Sequence, residues 1–118
     1  MHIRELAAKI GAKICANNEK DMDVEINRIC AGDNISDLLN EASNATLLVT
    51  NLSNSLLPRV AGLMDVPGIC LLKRRSVEPE LLRAAIEHST MVIVSPYGMF
   101  ETCGRLYQCL AEEGKPVP

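Results

Sequence analysis

The sequence predicts a layered α/β/α domain with a mostly parallel central sheet of four to five strands. Three observations carry this. The runs Thr46–Thr50 (TLLVT), Gly68–Leu72 (GICLL) and Met91–Val94 (MVIV) are short, continuous and apolar, the form of strands covered on both faces. Amphipathic helical patterns lie between and after them. The strand-helix unit returns about every 22 residues, as a series of right-handed βαβ units requires.

Taken in order, Ile3, Leu6, Ala7 and Ile10 fall on one helical face, and Gly11 follows as a C-cap. Residues 13–16 (KICA) read as a brief strand, and the polar stretch after them (NNEKDMD) has the composition of a loop. Val24–Cys30 (VEINRIC) alternates as a half-buried strand does. Behind an Asp33/Asn34 cap, Ile35, Leu38, Leu39 and Ala42 repeat at helical spacing. Leu56, Leu57, Val60, Ala61 and Met64 form the next stripe, with Ser53 to Ser55 as caps and Pro58 tolerated only in the first turn. Leu81, Leu82, Ala85 and Ile86 form another, with Pro79 near its first position. Phe100, Cys103, Tyr107, Leu110 and Ala111 form the last, entered through Ser95-Pro96 and ended by Gly114. The expected organisation is one domain over residues 1–113 with a short tail at 114–118.

Composition narrows the function. At 118 residues, 47% apolar and 23% charged, the chain has the core of one small globular domain. Twelve Lys and Arg against fifteen Asp and Glu give a net charge of -3, which lacks the basic footprint of a nucleic-acid binder. Tyr97, Phe100 and Tyr107 are its only aromatic residues, too few for base-stacking platforms. No apolar run approaches a membrane span or a signal peptide, so the expected location is the cytoplasm. Five cysteines at 15, 30, 70, 103 and 109, with no CxxC spacing, fit neither a disulfide framework nor a metal site. Those at 15, 30, 70 and 103 lie in or beside apolar segments, where a thiol acts as a small buried hydrophobe. No cofactor is expected.

In an open α/β sheet, ligands bind at the carboxyl ends of strands, where loops feed helix N-termini. Those ends supply Thr50, Asn51, Ser53 and Asn54 after TLLVT, Lys73, Arg74, Arg75 and Ser76 after GICLL, and Ser95 after MVIV. Asp33 joins them if its strand is parallel. One reading is an anion site in which Lys73 or Arg74 holds phosphate while Asn51, Asn54 or Asp33 orients the rest. The other is that Ser, Asn and Asp at such turns are ordinary helix caps, present with or without a ligand. Only His2 and His88 are available as imidazole bases, one near the terminus and one at a helix end away from this edge. Nucleophilic catalysis therefore lacks its base, no phosphate-loop or zinc-protease motif occurs, and the chain is not expected to be an enzyme. Nothing in the sequence brings Glu101 and Asp33 together as a carboxylate pair.

The segments Ala31–Leu39, Leu47–Thr50, Ala61–Ile69 and Ser95–Tyr107 together resemble stand-alone DRTGG-type domains. Gly32–Asp37 and Phe100–Tyr107 are the most specific parts of this resemblance, which covers most of residues 1–111. The five letters that name the domain are absent, the nearest region being Asn27–Gly32. The resemblance implies a fold like the N-terminal domain of HPr kinase. Related modules occur in phosphotransacetylases and beside CBS domains in regulated pyrophosphatases, and stand-alone copies occur near iron-only hydrogenase components. It implies a regulatory or scaffolding role without catalysis. Two classes follow: a sensor of a nucleotide or other phosphorylated small molecule, and a protein-interaction accessory of a redox or hydrogenase-type assembly. A homodimer is also expected, because Leu52, Leu56, Leu57 and Met64 make a wider apolar stripe than one sheet face needs; the alternative is that Leu52 and Leu56 cover the sheet edge within one chain.

Overall fold

The computed structural model describes residues 1–17, 24–74 and 76–113. Its elements are α1 (Ile3–Ile10), β1 (Lys13–Ala16), β2 (Arg28–Ala31), α2 (Ile35–Asn40), β3 (Thr46–Thr50), α3 (Leu56–Leu63), β4 (Gly68–Leu72), α4 (Pro79–Glu87), β5 (Met91–Ser95) and α5 (Met99–Glu112). The five strands form one sheet in the order β1-β5-β4-β3-β2. β2, β3, β4 and β5 are parallel, so Asp33 does follow a parallel strand, and β1 is antiparallel at the edge beside β5.

Side-chain alternation along the strands makes two cores. Leu47, Val49, Cys70, Leu72, Met91 and Ile93 point to one side, where α1 and α5 cover them. Leu48, Ile69, Leu71, Val92 and Val94 point to the other, beneath α2, α3 and α4. All residues of β3, β4 and β5 are buried, which is why these strands read as unbroken apolar runs. Successive parallel strands step in one direction across the sheet, and crossovers of one hand then lay α2, α3 and α4 on the same face. From α2 onward the chain changes face only after β5, when it enters α5 on the side that α1 already covers.

Caps follow the local chemistry. Gly11 closes α1 at φ 72°, as its position suggested, and Pro79 opens α4. Asn34 caps α2, its Oδ1 accepting from the Asp37 N–H at 3.3 Å. At α3 the bond comes from Asn54, whose Oδ1 accepts from the Leu56 N–H at 2.9 Å, while Ser55 makes no side-chain cap bond. The Met1 ammonium is buried between Glu113 at 2.6 Å and Glu25 at 3.2 Å, which ties the start of α1 to the end of α5.

Several expectations need correction. The strand from Val24 is only Arg28–Ala31; Glu25 makes a single bridge with His2, and Ile26 is buried by packing. Ile86 lies outside the α4 stripe at 67% exposure. The α5 stripe is rotated: Thr102, Leu106, Cys109 and Leu110 are buried, whereas Phe100 is 94% and Tyr107 56% exposed. Thr102 takes the inner place because its hydroxyl bonds Ser95 Oγ at 2.7 Å, so a polar residue is satisfied where an apolar one was expected. Of the wide α3 stripe, Leu57 is buried and Leu52 partly so, while Leu56 and Met64 remain substantially exposed. All five cysteines are free, and only Cys70 and Cys109 are buried; Cys15, Cys30 and Cys103 are intermediate. The loop expected after Ala16, Arg75, the stop at Gly114 and the tail 114–118 fall wholly or mainly outside the described residues. Among the described residues, no helix is long and apolar enough to cross a membrane.

Candidate functional site

After β2 and β3 the chain turns to α2 and α3 on the same face. After β4 it turns to α4 on that face, and after β5 to α5 on the opposite one. The carboxyl ends of β4 and β5 are therefore where the loops diverge, the place at which an open sheet forms a crevice. A cavity of about 710 Å³ lies there. One wall is the edge strand, with Gly11, Lys13, Ile14 and Cys15; another is the segment after β4, with Lys73, Arg74, Ser76 and Val77, backed by Leu82 of α4. Val94, Ser95 and Pro96 close it from β5.

Two backbone irregularities shape this groove. β1 carries a bulge: Ile14 pairs with Ile93 and Ala16 with Val92, leaving Cys15 as the extra residue. The bulge lets Ile14 pack on the α1/α5 core and Ala16 on the opposite one, which regular alternation forbids. It also brings Cys15 into the groove lining. Lys73 has φ 46°, the left-handed region that a lysine enters at a cost of about 1 kcal/mol. Asp65 and Ser89 share such angles, but each follows a helix C-terminus and does a glycine's work there. Lys73 instead ends a strand, its N–H bonded to the Ser95 carbonyl at 2.9 Å. Its stem runs past Gly98 at the start of α5.

The charges around the groove are not equivalent. Arg74 is a strut: Nη1 bonds Glu78 at 2.9 Å, Nη2 bonds the Asn51 carbonyl, and its side chain is 13% exposed. Lys13 and Lys73 are exposed and belong to none of the ion pairs found among the described residues. The described lining contains no carboxylate and no imidazole. His88 sits at the other end of the sheet, packed against Gly62. Burial pushes the Cys70 thiol up to about 12 and raises those of Cys103 and Cys109, the reverse of what an activated nucleophile needs.

The architecture is shared with the crystal structure of the CBS and DRTGG domains of the regulatory region of Clostridium perfringens pyrophosphatase, complexed with its activator diadenosine tetraphosphate. The fold is DRTGG-like. The TM-score is 0.73 at 13% sequence identity, over 91% of this chain and 46% of that one, so this chain spans about half of its structural neighbour. At that identity the likeness concerns the fold. No protein-family model and no curated protein matches the sequence.

Of the eight candidate residues, the groove gathers Lys73, Arg74 and Ser95. Ser95 is buried, with Oγ bonded to Thr102 and accepting from the Tyr97 N–H at 3.2 Å, so it holds the start of α5 in place. Thr50, Asn51 and Asp33 form a structural clamp: Asp33 Oδ1 accepts from Thr50 Oγ1 at 3.3 Å and from the Asn51 N–H at 3.0 Å. Asn54 is occupied as a cap, and Ser53 is exposed outside the cavity. Glu101 pairs with Arg105, not with Asp33. The groove residues that strand-end reasoning missed are Lys13 and Cys15, because nothing local shows that residues 13–16 pair with β5.

Proposed function

We propose that this protein is a non-catalytic regulatory module that senses a nucleotide or another phosphorylated small molecule in the groove between β1, β4 and β5. The observation that carries this reading is a cavity of about 710 Å³ at the diverging strand ends, lined by Lys13, Lys73 and Arg74 without a carboxylate among its described residues. Its size is that of a small-molecule site, and its charge favours an anion. The activator bound by the pyrophosphatase region, a nucleotide polyphosphate, supports the same ligand class. The absence of an imidazole or carboxylate from the described lining supports a binding role over catalysis.

The test is thermal unfolding with diadenosine tetraphosphate, ATP, ADP, AMP and inorganic phosphate. A ligand at 100 times its dissociation constant adds about 2.7 kcal/mol, a rise of about 10 °C for a domain of this size. Lys13→Ala with Lys73→Ala removes the response and leaves the unliganded protein intact, since both side chains are exposed. Arg74 is unsuitable for this purpose because it braces Asn51 and Glu78. No response to any of these anions refutes the reading.

A second reading has its own observation. Phe100 and Tyr107 lie on the outer side of α5 with Gly104 between them, an exposed aromatic surface that suits a protein partner. On this reading the module docks a second copy of itself or a component of a redox assembly. Light scattering of wild type and Phe100→Ser separates self-association from a monomer near 12.9 kDa.

A further inference from the structure

We infer that the groove selects an organic phosphate monoester with an apolar body, holding the phosphate between Lys13 and Lys73 and binding the body chiefly by aliphatic contact. This rests on the ligand-sensing reading and specifies the class of ligand.

The two ends of the groove differ in chemistry. At the charged end, Arg74 is already neutralised by Glu78, whereas Lys13 and Lys73 line the cavity from opposite walls without an ion pair among the described residues. Two such ammonium groups match one phosphate ester, which carries about -1.5 to -2 at neutral pH. The rest of the lining is dominated by Val77, Leu82 and Val94. These side chains come from the segment before α4, α4 itself and β5 and share one face of the sheet, so they form an aliphatic bed beside the charged end. A cavity of about 710 Å³ is several times larger than a bare phosphate, and an ion alone would leave that bed wet.

What the lining lacks is equally specific. Ribose hydroxyls are ordinarily read by a carboxylate at a strand end, and the described lining has none. It has no aromatic side chain to stack on and no side-chain amide. Of its two serines, Ser95 is committed to Thr102 and Tyr97. The body of the ligand is therefore held chiefly by the removal of apolar surface from water, and Ser76 is the one uncommitted side-chain hydroxyl of the described lining that a sugar hydroxyl could meet.

Calorimetric titration tests this with phenyl phosphate, adenosine 5′-monophosphate, its 2′,3′-dideoxy analogue, inorganic phosphate and pyrophosphate. The three esters bind, the dideoxy compound within about twofold of the ribonucleotide, and the two inorganic anions at least about tenfold more weakly. Leu82→Ala weakens the esters about fivefold and leaves inorganic phosphate unchanged. A readout on the wild-type protein accompanies it: phenyl phosphate slows alkylation of Cys15, which lies in the groove, and leaves Cys30 and Cys103 unaffected. Inorganic phosphate or pyrophosphate binding as tightly as the esters, or a tenfold loss on removing the sugar hydroxyls, overturns the inference and leaves the sensing reading standing. Silence from every anion in both measurements removes the sensing reading and the inference with it.

Discussion

Two helical glycines make opposite predictions from the same substitution. In a helix interior alanine is favoured over glycine by about 1 kcal/mol, through the backbone entropy that glycine loses on folding. Gly104 lies in mid-α5, and a Cβ added there meets nothing within 4 Å. Gly104→Ala should therefore stabilise the protein by about 0.5–1 kcal/mol, a rise of about 2–4 °C in melting temperature. Gly62 lies near the end of α3, where a Cβ would stand 2.6 Å from His88 Cβ and 3.0 Å from the His88 carbonyl oxygen. Carbon atoms in contact prefer about 3.5–4.0 Å, so α3 and the end of α4 must separate by about 1 Å. The obstructing atoms are backbone and Cβ, which cannot rotate away. Overpacking costs about 1–3 kcal/mol, and an approach of 2.6 Å to atoms that cannot rotate away belongs at the upper end, about 2–3 kcal/mol, which exceeds the helix-propensity gain and leaves a net loss of about 1–2 kcal/mol. Urea unfolding followed by far-ultraviolet circular dichroism measures both, with an unchanged m-value as the sign that only stability has moved. A Gly62→Ala protein as stable as wild type would mean that the α3–α4 contact is looser than the structure has it. A destabilised Gly104→Ala protein would mean that α5 is covered at Gly104.

Asp33→Ala strips acceptors from Thr50 Oγ1 and the Asn51 N–H and should cost about 1–2 kcal/mol in urea unfolding while leaving phosphate-ester affinity unchanged; a loss of affinity at full stability would return Asp33 to the site. Cys70 gives a pH dependence with a definite sign. Its thiol is raised by burial to about 12, so the folded state favours the neutral form, and the stability this confers is complete below the unfolded value near 9 and lost as pH rises from about 9 towards 12. Wild type should therefore lose stability between pH 8.5 and 10.5, on the order of 1–2 kcal/mol, more steeply than Cys70→Ala, and parallel pH profiles would exclude the thiol as the cause. Phe100→Ser should leave the stability of the monomer within about 0.5 kcal/mol, because a side chain 94% exposed gives up almost no burial; a larger loss that depends on protein concentration would locate a contact between copies at α5.

Sequence patterning is most legible where burial is extreme. β3, β4 and β5 are covered on both faces, and the apolar runs record that directly. α5 is covered on one side only, and the stripe of Phe100, Cys103, Tyr107, Leu110 and Ala111 that helical spacing suggests is rotated from the side that is covered. The inner face is decided instead by Thr102, whose hydrogen bond to Ser95 comes from a residue in another element. The same limit applies to the groove. Every strand end offers small polar residues, and the distinction among them depends on which face the next helix takes. At β2 and β3 the helices follow one another on the same side, so Asp33, Thr50 and Asn54 become struts and caps. At β4 and β5 they part, and Lys73 is left beside an opening. Lys13 was invisible because its place depends on β1 pairing antiparallel with a strand far along the chain.

Laying three crossovers on one face leaves the other face to the first and last helices, which sets an order for folding. Strands β2 to β4 and helices α2 and α3 can dock as they emerge during synthesis, since each contact lies close in sequence. The opposite surface of that half-sheet, including Leu47, Val49 and Cys70, has only α1 to cover it until α5 is made. β1 waits for β5, and the Met1 ammonium waits for Glu113. Closure of the first core is thus a late and long-range event, and a nascent chain stalled before α5 would present a wet apolar sheet to chaperones or to other chains.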